Sequence, residues 1–104
     1  MRVIVRDKVY EALDEFYAVS MKRHPTLDLQ TVLNKENRLF EALQSLGENY
    51  FLCREPRYIL DWRRKGYKDF MYENFHFAFH VAVLPTGEMV VAVEDVRHDL
   101  MFHD

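Results

Sequence analysis

Between residues 75 and 83 the odd positions are Phe75, Phe77, Phe79, Val81 and Val83, while the even ones are His76, Ala78, His80 and Ala82. A period of two marks a strand with one heavy apolar face and one light face. Leu84-Pro85-Thr86-Gly87-Glu88 supplies a hairpin loop, and Met89 to Val96 reads as the returning strand. If the loop pairs Leu84 with Glu88, then Glu94 and His98 share the light face with His76 and His80.

The first half of the chain has a helical period instead. Val9, Leu13, Phe16 and Ser20 form one stripe, flanked by Ala12, Tyr17 and Met21. Asp7 is placed to cap a helix starting at Lys8, and Pro25 ends it. Acid at the front and Lys22, Arg23 and His24 at the back suit the helix macrodipole. Thr26 or Asp28 caps a second helix whose stripe is Leu29, Val32, Leu33, Glu36, Phe40 and Leu43, with Gly47 as a left-handed stop. The short connection implies an antiparallel helical hairpin. Before it, Val3-Ile4-Val5 reads as a short strand covered on both faces. Pro56 to Gly66 has the proline-start, glycine-stop order of a short helix, with a strand over Arg57 to Leu60 as the rival. Tyr67 to Tyr72 reads as a strand.

The expected fold is therefore α+β, with an N-terminal strand and an α-hairpin packed on an antiparallel sheet that ends in a β-hairpin. At 104 residues the chain forms one domain, residues 1–104, and eight Phe, six Tyr and one Trp are enough to fill its core. Cys53 is the only cysteine, so no internal disulfide forms, and a cytoplasmic setting is expected. The apolar run near the N-terminus is three residues long, too short for a signal peptide, and no stretch reaches the length of a membrane helix.

Charge sharpens the picture. The net charge is −3, but six cations against Glu55 and Asp61 leave residues 54–68 at +4 and the rest of the chain at −7. A basic band on an acidic body steers one anionic partner without coating every polyanion. Within it, Arg63, Arg64, Lys65 and Lys68 alternate with Trp62 and Tyr67, a composition suited to phosphate contact and base stacking. The same residues also read as a solvated helix end with Trp62 turned inward.

Three groupings can carry chemistry. His76, His80 and Glu94 with Arg97 and His98 could perform acid–base work on a phosphodiester, or the histidines could simply be half-exposed strand residues. A metal site from His76, His80 and Glu94 has no diagnostic spacing, so no metal is expected. Cys53 has no nucleophile motif around it. With glycine only at 47, 66 and 87, the chain has no glycine-rich phosphate loop, and no nucleotide cofactor is expected.

A short strand, a helical hairpin ending in Leu46-Gly47 and a run of strands resembles the RelE/ParE superfamily of type II toxin–antitoxin toxins. The nearest local match is Phe77-Ala78-Phe79-His80-Val81-Ala82-Val83, a turn, then Met89-Val90-Val91-Ala92-Val93 through Arg97-His98-Asp99-Leu100. The resemblance spans nearly the whole chain in element order and the last third in residue pattern. It implies an mRNA endonuclease, metal-independent and free of cofactors, that is neutralised by a cognate antitoxin protein. The catalytic residues it implies are His76, Glu94, Arg97 and His98, with Arg63, Arg64, Lys65 and Lys68 on the RNA backbone. His76 stands where the resemblance leads one to expect arginine. The alternative is a non-enzymatic binding module on the same scaffold, acting on gyrase or only on a partner. A small acid–base or metal enzyme unrelated to toxins is a third reading.

Overall fold

A computed structural model describes residues 1–99; the end of the polar tail, His103 included, lies outside the described residues. The chain runs β1 (Arg2–Val5), α1 (Asp7–Arg23), α2 (Leu29–Gln44), a single turn α3 (Leu46–Asn49) and a 3₁₀ turn (Tyr50–Leu52). A short α4 (Leu60–Arg64) and three strands follow: β2 (Lys68–Tyr72), β3 (Phe75–Val83) and β4 (Met89–His98). The α+β class agrees with the sequence. The sheet does not: its order is β1-β4-β3-β2, and β1 lies parallel to β4. It is mixed, because the long stretch of chain between β1 and β4, helical hairpin included, lets the two strands enter the sheet from the same end. As an edge strand β1 buries only Val3, not both faces.

The helices form for the expected reasons, with shifts at their ends. Asp7 is the first helical residue of α1 rather than its cap, and the Arg6 carbonyl accepts the Val9 N–H at 2.9 Å instead. Asp28 does cap α2, accepting from the Thr31 N–H at 2.7 Å. The inward stripe of α1 is Val9, Leu13 and Tyr17, and that of α2 is Val32, Leu39 and Leu43. Leu29 and Leu33 face solvent. Tyr10 meets Phe40 at 5.2 Å between ring centroids while Tyr17 faces Glu36, so the two helices are antiparallel. Gly47 is not a left-handed stop. It sits inside α3, where a Cβ would strike the Met1 carbonyl, and the Met1 amino group donates to the Gly47 carbonyl at 2.9 Å.

The heavy face of the hairpin is the core. Phe75, Phe77 and Phe79 of β3, with Val91, Val93 and Val96 of β4, pack against both long helices and Val3. The loop pairs Leu84 with Glu88 as anticipated, through a 2.8 Å bond from the Leu84 N–H to the Glu88 carbonyl. Register then slips. Phe79 is opposite Val93 but Ala78 is opposite Asp95, which makes Glu94 the extra residue of a β-bulge. One inserted residue exchanges the faces of everything beyond it. Val96 and His98 turn to the helices, and Asp95 and Arg97 turn to the light face.

The light face is not bare. Helix α4 lies across it, setting the fully buried Trp62 and Ile59 against Ala78, with Tyr67 alongside. This helix is five residues long and starts later than the proline suggested, since the backbone at Ile59, at φ −96° and ψ 86°, is still outside the helical region. Gly66, at φ +76°, ends it and lets the chain turn into β2.

Candidate functional site

His76 is the centre of the most concentrated set of polar contacts on the light face. Pairing of β2 with β3 places Met71 opposite His76 and Asp69 opposite Ala78, so Asp69 is the diagonal neighbour of the imidazole. Its carboxylate lies 2.9 and 3.2 Å from Nδ1. Asp99, anchored just after β4 by a 2.9 Å bond from its N–H to the Asn74 carbonyl, places Oδ1 2.8 Å from Nε2. The Asp69 side chain is largely enclosed, while that of Asp99 is 44% exposed. Burial disfavours the imidazolium, but the hydrogen bonds and charges of the two aspartates outweigh it, and the His76 pKa is raised above its ordinary value. Asp69 holds the Nδ1 side of the ring, and the Nε2 side meets a half-exposed carboxylate.

This group opens into a cleft of about 840 Å³ between β2 and the connection from Leu52 to Ile59. The connection is fastened to the outer edge of β2 by a 2.9 Å bond from the Asp69 N–H to the Arg54 carbonyl. Arg54 and Arg57 line the cleft and are exposed, and neither guanidinium makes a hydrogen bond or ion pair among the described residues. Tyr58, Leu52 and Met71 stand at its rim. Cys53 lines it too, but burial first and then Asp69 push its thiol pKa up, leaving it in the poorly nucleophilic neutral form. Among the described residues no group of three or more His, Cys, Asp or Glu can hold a metal. The aspartates flank opposite ring nitrogens of His76, so they do not converge with it on one ion.

The other residues singled out from the sequence are in separate places. His76 and His80 share a face but lie about 13 Å apart along the strand. His80 Nε2 meets Glu94 Oε1 at 2.9 Å, and Arg6 Nε donates to the same oxygen at 3.1 Å. Burial raises the Glu94 pKa, but these two partners more than cancel that and hold it below the ordinary value. Arg97 shares the face of His76 and is opposite it in register, yet its guanidinium is committed to Asp61 at 2.8 Å and to the Trp62 ring at 5.3 Å. Trp62 Nε1 in turn donates to Asp95 at 3.1 Å. His98 is on the opposite face from the one expected. It is 7% exposed, tilted over Phe16 at 4.5 Å and edge-on to Phe75 at 4.7 Å, and burial pushes its pKa down.

Arg63, Arg64, Lys65 and Lys68 are all exposed, with Lys68 Nζ donating to the Cys53 carbonyl at the cleft wall at 3.4 Å. Asp69, Asp99, Arg54 and Arg57 were not singled out from the sequence. Asp69 did carry a signal, as the one acid inside the Tyr67–Tyr72 segment, whose other residues are Lys68, Met71 and three aromatics. Asp99 carried none, because its approach to His76 depends on the bulge. No protein-family model, curated protein or solved structure matches this chain.

Proposed function

We propose that the chain is the toxin component of a type II toxin–antitoxin module that cleaves RNA by metal-independent acid–base chemistry centred on His76, with a cognate antitoxin as its protein partner. The observation that carries this reading is the imidazole of His76, oriented by Asp69 at Nδ1 and in contact with the half-exposed Asp99 at Nε2, beside two arginines. The element order, in which a strand and helical hairpin precede three strands, is in keeping with the RelE/ParE resemblance.

In the mechanism, Asp99 accepts the proton of the 2′-hydroxyl, and the 2′-oxygen attacks phosphorus. The bond from phosphorus to the 5′-oxygen breaks, and the His76 Nε2–H protonates that leaving oxygen. The products are a 2′,3′-cyclic phosphate and a 5′-hydroxyl end. The 2.8 Å contact between Asp99 and His76 then returns the proton to the ring and resets both groups. Arg54 and Arg57 meet the non-bridging oxygens, where negative charge builds in the transition state. Asp69 is a positioning residue. Glu94, Arg97 and His98 hold the sheet and α4 in place rather than touching substrate.

The test is to express the chain in growing cells and map new 5′ ends in messenger RNA. Cleavage sites that vanish with His76→Ala support the reading; growth inhibition without new ends sinks it. That second outcome favours a non-enzymatic binding module, a role in keeping with the exposed Leu52, Tyr58 and Met71 at the cleft rim.

A further inference from the structure

Even when His76 is charged, the ionic groups lining the cleft only balance: His76, Arg54 and Arg57 against Glu55, Asp69 and Asp99. A phosphate entering there gains directed hydrogen bonds but little net attraction, so affinity must come from another contact. The rim offers one. Tyr58 is 87% exposed, Leu52 68% and Met71 60%, and all three line this cleft. Exposed apolar residues scattered singly carry no meaning, but a cluster around one cleft does. Tyr58 directly follows Arg57, so a ring face and a phosphate-binding group are presented from adjacent positions of the chain.

We propose that Tyr58 is a stacking platform for an unpaired nucleobase, with Leu52 and Met71 as apolar walls and Arg54 and Arg57 on the flanking phosphate, so that the cleft takes single strands and refuses duplex. A base in a duplex already has both faces stacked, whereas an unpaired base can place one on the phenol ring. This inference rests on the RNA reading above, but it concerns binding and can be tested without turnover.

The experiment uses the full chain and a single-stranded DNA oligonucleotide containing 2-aminopurine, which lacks the 2′-hydroxyl needed for cleavage. Binding is followed by anisotropy, and stacking by quenching of the 2-aminopurine fluorescence. The expected result is quenching on binding, with the annealed duplex binding at least about tenfold more weakly. Tyr58→Ala loses the quench and weakens binding about tenfold or more, and Tyr58→Phe restores the quench. Circular dichroism of Tyr58→Ala checks that the exposed substitution leaves the fold intact. The proposal is overturned by equal binding of duplex, by unchanged binding of Tyr58→Ala, or by no binding at all. If the single strand binds with quenching while RNA stays uncut, the platform stands and the nuclease reading falls.

Discussion

Replacing Trp62 with Ala should unlock α4 from the sheet. The indole is fully buried in a small core that, among the described residues, it shares with Ile59, Ala78 and Tyr67, so its loss leaves few apolar neighbours able to collapse into the space. Large-to-Ala changes of this kind cost about 3–5 kcal/mol. Asp95 loses its indole donor and Arg97 the ring beneath it, but both are half-exposed, so water softens those losses. Against a domain stability of roughly 5–15 kcal/mol, this is a large fraction. A helix of five residues has no stability of its own, so α4 should melt first and take the Tyr58–Ile59 wall of the cleft with it. Urea denaturation followed by far-ultraviolet circular dichroism reads the loss, since the variant has no tryptophan. Trp62→Phe, which keeps most of the volume, should cost clearly less. A loss below about 1 kcal/mol for Trp62→Ala, or equal losses for the two variants, would refute the view that Trp62 anchors α4.

Three further predictions concern the two histidines His76 and His98, Asp69 and Gly47. In a proton NMR titration His76 should titrate above the ordinary histidine value and His98 below it. The signs oppose each other: stability from His76 is full below the unfolded pKa and lost as pH rises through the raised folded value, whereas burial of neutral His98 costs stability as pH falls below the unfolded value. A shared midpoint for the two rings contradicts this. Asp69→Asn should lower kcat on RNA about tenfold or more with little change in KM, and should move the alkaline limb of the kcat profile to lower pH, because the imidazolium is the acid. An unmoved limb removes Asp69 from its positioning role. Gly47→Ala should cost about 1–3 kcal/mol in thermal or urea unfolding, since the added Cβ meets backbone rather than a flexible side chain.

The parts of the fold that were legible in the sequence were those set by local periodicity. Phe75 to Val83 matches β3 residue for residue, and Asp28 and the Gly87 loop act as their chemistry implied. What could not be read was set by contacts between distant segments. Nothing near Glu94 announces a bulge, yet that one residue decides that Arg97 faces His76 and His98 faces Phe16. The parallel entry of β1 and the close approach of Met1 to Gly47 are likewise long-range facts. For the site, His76 was visible as a polar residue on the light face. Its two aspartates come from β2 and from the end of β4, and only the assembled sheet brings them to opposite nitrogens.

The central claim is that His76 is the acid of an RNA-cleaving site, and the most direct test is turnover by the purified full chain on a short single-stranded oligoribonucleotide without added metal. The account predicts a 2′,3′-cyclic phosphate and a 5′-hydroxyl product, and a fall in kcat of about a hundredfold or more in His76→Ala. Cleavage undiminished by His76→Ala, or no cleavage by the unsubstituted chain, would contradict it.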